Sequence, residues 1–255
     1  MPEISGFRII PSLLLKDKGL VKGVNFSNYK YIGDPINAVR IFNDKKVDEL
    51  FFFDISATQE DRTISFNLIE KLANECFMPF AVGGGINSIE NISKLIKLGV
   101  EKVSINTHAV EDPDFISKSA GIFGSQAIVV SIDVIKSANG RYSIATNSGK
   151  NKENVCPLDH AKLMEKKGAG ELVVTSIDKD GTQDGYDKNL MKMIADAVSI
   201  PVIAGGGAGD LNHFVELHKE LNVSAATAGS FFVFHGKLNA VLISYPTKAQ
   251  LRSLV

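Results

Sequence analysis

The chain has 255 residues, 44% hydrophobic and 22% charged, with a formal net charge of −1. That balance suits a globular protein with a sizeable core, gives no general attraction to nucleic acid or an anionic membrane surface, and leaves no apolar run long enough to span a bilayer. The two cysteines, Cys76 and Cys156, lack metal-type spacing and are expected as reduced core thiols in a cytoplasm.

In chain order, apolar runs of strand length alternate with helical patterns. Met1 to Lys16 lacks a basic lead and a small-residue cleavage site, so it reads as a core strand and not a signal peptide. The predicted strands are Phe7 to Leu15, Leu50 to Asp54, Phe80 to Val82, Lys102 to Ile105, Ala127 to Asp133, Leu172 to Ser176, Pro201 to Ala204 and Ala225 to Ala228. The inner runs are nearly unbroken Val, Ile, Phe and Leu, as parallel strands covered on both faces require. Asp34-Pro35, Ser88, Asp112-Pro113, Asp187 and Asp210 mark helix starts. Gly99, Gly124 and Gly168 mark helix ends. Eight strand–helix units without a composition break predict one (β/α)8 barrel domain over 1–255. The alternative is an open doubly wound sheet. Two connections are long: Lys16 to Gly33, and Ser137 to Asn154, which reads as a small hairpin around Ala138-Asn139-Gly140. Both are lid candidates or tolerated surface insertions.

Two glycine clusters stand at strand-to-helix junctions: Val82-Gly83-Gly84-Gly85-Ile86, and Ala204-Gly205-Gly206-Gly207-Ala208-Gly209. Without side chains to keep a ligand off the backbone, their N–H groups can converge on an anion. Gly83 and Gly205 are 122 residues apart, and Glu49-Leu50-Phe51 and Glu171-Leu172-Val173 repeat at the same offset. A half-chain duplication holding a ligand with a phosphate at each end follows from this. Aligning Arg8 to Leu15 with Ala127 to Val134 sets Asp133 at the mouth of the fifth strand and Leu14 at the equivalent place on the first. A carboxylate there serves as general acid or base, or as a loop cap. Leucine does neither, so a symmetric carboxylate pair is excluded. Asp54, Asn106-Thr107, Thr175-Ser176 and Ser230 add polar groups at other strand ends, suited to phosphate oxygens or to turns. Asp178-Lys179-Asp180-Gly181-Thr182 lacks the length and terminal glutamate of a calcium loop, and the five histidines lack ligand spacing, so no metal and no cofactor are expected.

From Arg8 to about Phe234 the chain resembles the cyclase subunit of imidazole glycerol phosphate synthase, the HisF family. The motifs that carry the resemblance are Arg8-Ile9-Ile10, Val21-Lys22-Gly23, Phe53-Asp54-Ile55, Val82 to Ile86, Lys102 to Thr107, Phe123 to Gln126, Ile132-Asp133, Thr175 to Thr182 and Ala204 to Gly209. The resemblance implies a barrel that takes ammonia from a HisH-like glutaminase at its N-terminal face. Ammonia would then meet, at the C-terminal face, a ribulosyl aminoimidazole carboxamide ribonucleotide with two phosphates. It also implies lyase-type synthase activity yielding imidazole glycerol phosphate and aminoimidazole carboxamide ribotide, in histidine biosynthesis. By position, it gives phosphate contacts to Gly84, Gly85, Asn106, Thr107, Gly206, Gly207, Gly229 and Ser230. Lys22 would reach the substrate from the first loop, Asp133 would be the retained catalytic carboxylate, and Asp54, Thr175 and Asp180 would line the site. Arg8, Glu49, Lys102 and Glu171 match the family's ammonia gate, a self-neutralising ring that also reads as a structural ion-pair layer.

The departures are Leu14, where the family pattern has a second aspartate, and the ending Leu242-Ile243-Ser244-Tyr245-Pro246. Loss of a proton-transfer group commonly costs about two to four orders of magnitude in rate. In both respects the chain is similar to divergent members that resemble partners in surface-polysaccharide (O-antigen) pathways. There, ammonia from the glutaminase would serve amidination of a sugar handled by a third protein.

Overall fold

Strands buried on both faces need helices outside and a filled interior inside. The computed structural model, which describes residues 7–236 and 238–252, has this arrangement. Eight parallel strands follow the chain: β1 (Arg8–Lys16), β2 (Leu50–Asp54), β3 (Phe80–Gly83), β4 (Lys102–Ile105), β5 (Ile128–Lys136), β6 (Glu171–Ser176), β7 (Val202–Gly205) and β8 (Ala225–Ala228). Each pairs with the next, and β8 pairs back onto β1 from Arg8↔Ala225 to Pro11↔Ala228, closing a (β/α)8 barrel. The open-sheet alternative is thereby excluded. Ile10, Phe51, Ala81, Val129, Val173 and Ile203 fill a layer inside the barrel, while a larger apolar shell packs the strands against the helices.

The outer layer contains α1 (Pro35–Lys45), α2 (Phe66–Glu75), α3 (Ile89–Lys97), α4 (Asp114–Phe123), α5 (Pro157–Lys166), α6 (Lys188–Ala195) and α7 (Leu211–Glu220). Side chains of Asp34, Ser88, Asp187 and Asp210 cap four of them by accepting backbone N–H bonds. The Asp112-Pro113 mark also holds: Asp112 Oδ1 accepts the Asp114 N–H at 3.1 Å at the start of α4, and a short helix, Thr107–Glu111, precedes it. Proline disfavours helical backbone in the residue before it, and Asp112 has φ −132°. Two further helices, α2 and α5, start at positions other than these marks. Ser65 caps α2 through a 3.3 Å bond from Leu68 N, and Pro157 opens α5 without a side-chain cap. Cys156 is exposed at that junction and Cys76 half-buried, so neither is a core thiol, although both are unpaired.

Both long connections are β-hairpins built onto the barrel. Gly19–Val24 and Ser27–Gly33 extend β1 in antiparallel fashion. Tyr142–Thr146 folds back on β5 after a turn closed by a 2.8 Å bond from Gly140 N to Ser137 O. The divergent ending has a structural role. Ser244 N bonds Phe232 O at 2.8 Å. The Tyr245 ring stacks on Phe232 with centroids 5.4 Å apart, and its hydroxyl donates to Ile9 O at 2.9 Å, sealing the wall beside β1.

His160 on α5 is buried with no hydrogen-bond partner for Nε2 among the described residues. Burial pushes its pKa down to about 4. A folded value below the unfolded one stabilises above the unfolded pKa, and the benefit disappears as pH falls through about 6.5 toward 4. Urea unfolding is expected to lose up to about 3 kcal/mol over that window, and His160→Leu to abolish this component.

Candidate functional site

The C-terminal ends of the barrel strands enclose a cavity of about 310 Å³. Gly83, Gly84 and Gly85 line one side and Gly205 and Gly206 the other, so the two glycine turns open onto the same space. Only glycine fits the turns. Gly85 has φ +61° and Gly206 φ +85°. A Cβ at Gly85 would lie 1.8 Å from Arg62 O, and one at Gly206 2.5 Å from Ser176 O.

Asp133, at the mouth of β5, also lines the cavity. Asn106 Nδ2 donates to its Oδ2 at 2.7 Å, while Asn106 Oδ1 is buried without a partner among the described residues. Burial, then the negative charge of Asp180, pushes the Asp133 carboxyl up to about 7, against the opposing hydrogen bonds of Asn106 and Thr175. Leu14 borders the same cavity. Strand register makes the two positions equivalent: Leu14 lies across from Phe53, Asp133 across from Thr175, and Phe53 and Thr175 are related by the half-chain offset.

Lys22 comes from the first hairpin. Its side chain is 4% exposed, and Nζ donates to Asp180 Oδ1 and Oδ2 at 2.8 and 2.7 Å. Asn25 N bonds Asp180 O at 2.8 Å, so the hairpin is seated on the β6–α6 connection. The second hairpin reaches the same roof. Asn147 N donates to Thr107 Oγ1 at 3.0 Å, and Ser148 Oγ to Ile55 O at 2.7 Å. Phe26 and Ser148 both border the cavity, which favours the lid reading of the two connections over surface insertion.

Asp54, Asn106, Thr107, Thr175, Asp180 and Gly229 also face this space. Gly207 and Ser230 are not among its lining residues. The Gly207 carbonyl accepts a 2.8 Å bond from Gly185 N, and a Cβ there would strike Gly185 O at 2.2 Å, so this glycine serves packing of the β6–α6 connection. Ser230, which follows Gly229, is buried, its Oγ unpartnered among the described residues. Sequence reasoning missed four polar neighbours. Arg62 binds Asp54 through Nη1 at 2.6 Å. The Ser104 and Ser131 hydroxyls pair at 2.6 Å inside the barrel. The Tyr29 phenol is pushed up to about 12 by burial and by the charges of Asp180 and Asp133. The alternating inward positions of β4 and β5 could have indicated the serines; nothing local marks Tyr29. No three His, Cys, Asp or Glu side chains converge as a metal site among the described residues.

At the opposite, N-terminal end of the barrel, Arg8, Glu49, Lys102 and Glu171 form a closed ring. Arg8 bonds both glutamates, and Lys102 Nζ lies 2.7 Å from Glu49 and 2.9 Å from Glu171. The two carboxylates are buried. Their negative charges keep the Arg8 guanidinium above its ordinary pKa despite the opposing effect of its own burial.

A family profile described as histidine biosynthesis protein matches residues 8–239. The chain belongs to that family. A Pseudomonas aeruginosa member provisionally named imidazole glycerol phosphate synthase subunit hisF2 is 51% identical over 94% of this chain and 95% of its own. A provisionally named HisF subunit of Leptospira interrogans is 44% identical over 97% of this chain and 98% of its own. The imidazole glycerol phosphate synthase subunit HisF of Alkaliphilus metalliredigens is 43% identical over 89% and 90%. These relatives set the chain among the HisF subunits of the histidine biosynthesis protein family.

Proposed function

We propose that the chain is the cyclase subunit of an imidazole glycerol phosphate synthase-type complex, a lyase acting in the cytoplasm. It takes ammonia from a HisH-like glutaminase docked at the N-terminal face and conducts it past the Arg8–Glu49–Lys102–Glu171 ring. At the C-terminal face ammonia meets the doubly phosphorylated ribulosyl aminoimidazole carboxamide ribonucleotide. The products are imidazole glycerol phosphate and aminoimidazole carboxamide ribotide. The observation that carries this reading is that one cavity holds both glycine turns and Asp133. In it, Gly84, Gly85, Asn106 and Thr107 bind one phosphate, and Gly206, Gly229 and Ser230 the other. Lys22 reaches the ligand when the hairpin closes. Asp133, with its raised carboxyl, transfers the proton.

Leu14 favours a second reading, since it faces Asp133's cavity from the equivalent strand position and moves no proton. Here the barrel keeps the ammonia path but passes ammonia to a third protein that amidinates a sugar for surface polysaccharide. The purified chain, given ammonium and the ribonucleotide, distinguishes the two. The first reading expects steady turnover, raised about tenfold or more by Leu14→Asp. No turnover by the natural chain, with turnover appearing in Leu14→Asp, transfers support to the second. Consistent with either, no helix among the described residues is long and apolar enough to cross a membrane.

A further inference from the structure

The Asp54 carboxylate borders the cavity, but its bonds are made within the protein. Oδ1 accepts the N–H groups of Ser56 and Ala57, each at 3.1 Å. The Nη1–Nη2 edge of Arg62 covers the same carboxylate, at 2.6 Å to Oδ2 and 3.4 Å to Oδ1. A buried carboxylate held this way positions a guanidinium better than it binds a ligand. Arg62 itself is 34% exposed and borders the cavity. Its backbone is pressed against the first glycine turn. Thr63 Oγ1 donates to Gly85 O at 3.1 Å, and Ile64 N to Gly84 O at 3.0 Å.

The other edge of the guanidinium is lightly held. Nε donates to Glu60 Oε2 at 2.6 Å, and Glu60 is 49% exposed. The second N–H of Nη2 has no acceptor among the described residues. Ion pairs at such exposure contribute little, whereas a phosphate can take the Nε–Nη2 edge with two parallel bonds. The second turn has no such group at the matching place, because the carbonyl that packs on Gly207 as Arg62 O packs on Gly85 belongs to Gly185, which has no side chain. Its cation is Lys22, whose stem would lie 3.0 Å from a Cβ on Gly229.

We propose that Arg62 grips the phosphate at the Gly84–Gly85 turn, with Glu60 as a carboxylate that the phosphate displaces. The inference rests on the doubly phosphorylated ligand and adds polarity to it. One end meets a cation fixed on the β2–α2 connection; the other meets a cation brought by a hairpin. The ligand therefore docks in one orientation although the scaffold is repeated.

The test is an amide NMR titration of the full chain with inorganic phosphate, which reads each turn separately. In the unaltered protein, the Gly84 and Gly85 amides and the Gly206 and Gly229 amides are expected to shift. Arg62→Met should weaken the first response about tenfold and leave the second unchanged. Glu60→Gln should tighten the first by about two- to threefold, and this variant keeps the Asp54–Arg62 contact intact. Shifts at both turns that neither variant alters overturn the role of Arg62 alone. Equal weakening at both turns by Arg62→Met shows a structural effect and also overturns it. No shift at either turn in the unaltered chain overturns the phosphate reading, and the inference with it.

Discussion

Asp133→Asn is expected to lower ammonium-driven turnover of the ribonucleotide by about two to four orders of magnitude. With Leu14 across the cavity, Asp133 is the carboxylate left for proton transfer at the paired strand mouths. Its carboxyl is poised near 7 by burial and by Asp180. It is therefore protonated below that pH and ionised above it, and a base in this position gives a kcat/KM that rises with pH through about 7. Asp180→Asn removes a negative neighbour and moves the rising limb to lower pH. Stability runs the other way. A carboxyl whose folded pKa is raised contributes stability that is present below its unfolded value and lost as pH rises through the folded value. Asp133→Asn should accordingly raise the melting temperature at pH 8 while removing activity, a cost that functional sites commonly carry. Steady-state assays across pH and melting curves at pH 5 and 8 check both signs. Full activity in Asp133→Asn would remove the residue from the mechanism.

How much of this was legible in the sequence follows from how local each signal is. Glycines at Gly84 and Gly206 advertise a backbone that a side chain would block, and their equal spacing from the flanking strands carried the half-chain repeat into the strand register. The inner strands were readable because burial on both faces leaves no polar alternation to interpret. The hairpins were harder. Ser27–Gly33 carries exposed polar residues, and the two segments become strands by pairing: Gly19–Val24 on β1, and Ser27–Gly33 on Gly19–Val24. Arg62 was missed for a different reason. It lies eight positions after Asp54, and its meaning comes from a turn in a different loop that it packs against. Tyr29 likewise acquires its place from Asp180 and Asp133, far along the chain. Gly207 and Ser230, carried over by position, are not among the residues lining the cavity, because motif matching fixes a residue's place in the chain but not how much of it faces the open space.

The other large effect is expected at the opposite mouth. In the ring, each cation spans both glutamates, so loss of one carboxylate leaves two positive groups sharing the one that remains. Breaking a buried ion network from one side costs about 3 kcal/mol, toward the lower end of the usual range because Arg8 and Lys102 keep some contact with water. For a chain of this size that is a fall of about 6 °C in melting temperature for Glu49→Gln. A purely structural ion-pair layer predicts this loss and nothing more. A gate predicts a second, separable result. With the glutaminase partner present, Lys102→Met and Glu49→Gln should lower glutamine-driven turnover by about tenfold or more, while turnover driven by added ammonium, which can reach the cavity from its open side, stays near that of the natural chain. The ratio of the two rates, measured on one preparation at a temperature well below melting, separates transport from folding. An unchanged ratio would leave the ring as a salt-bridged floor and remove the ammonia path from both readings of this barrel.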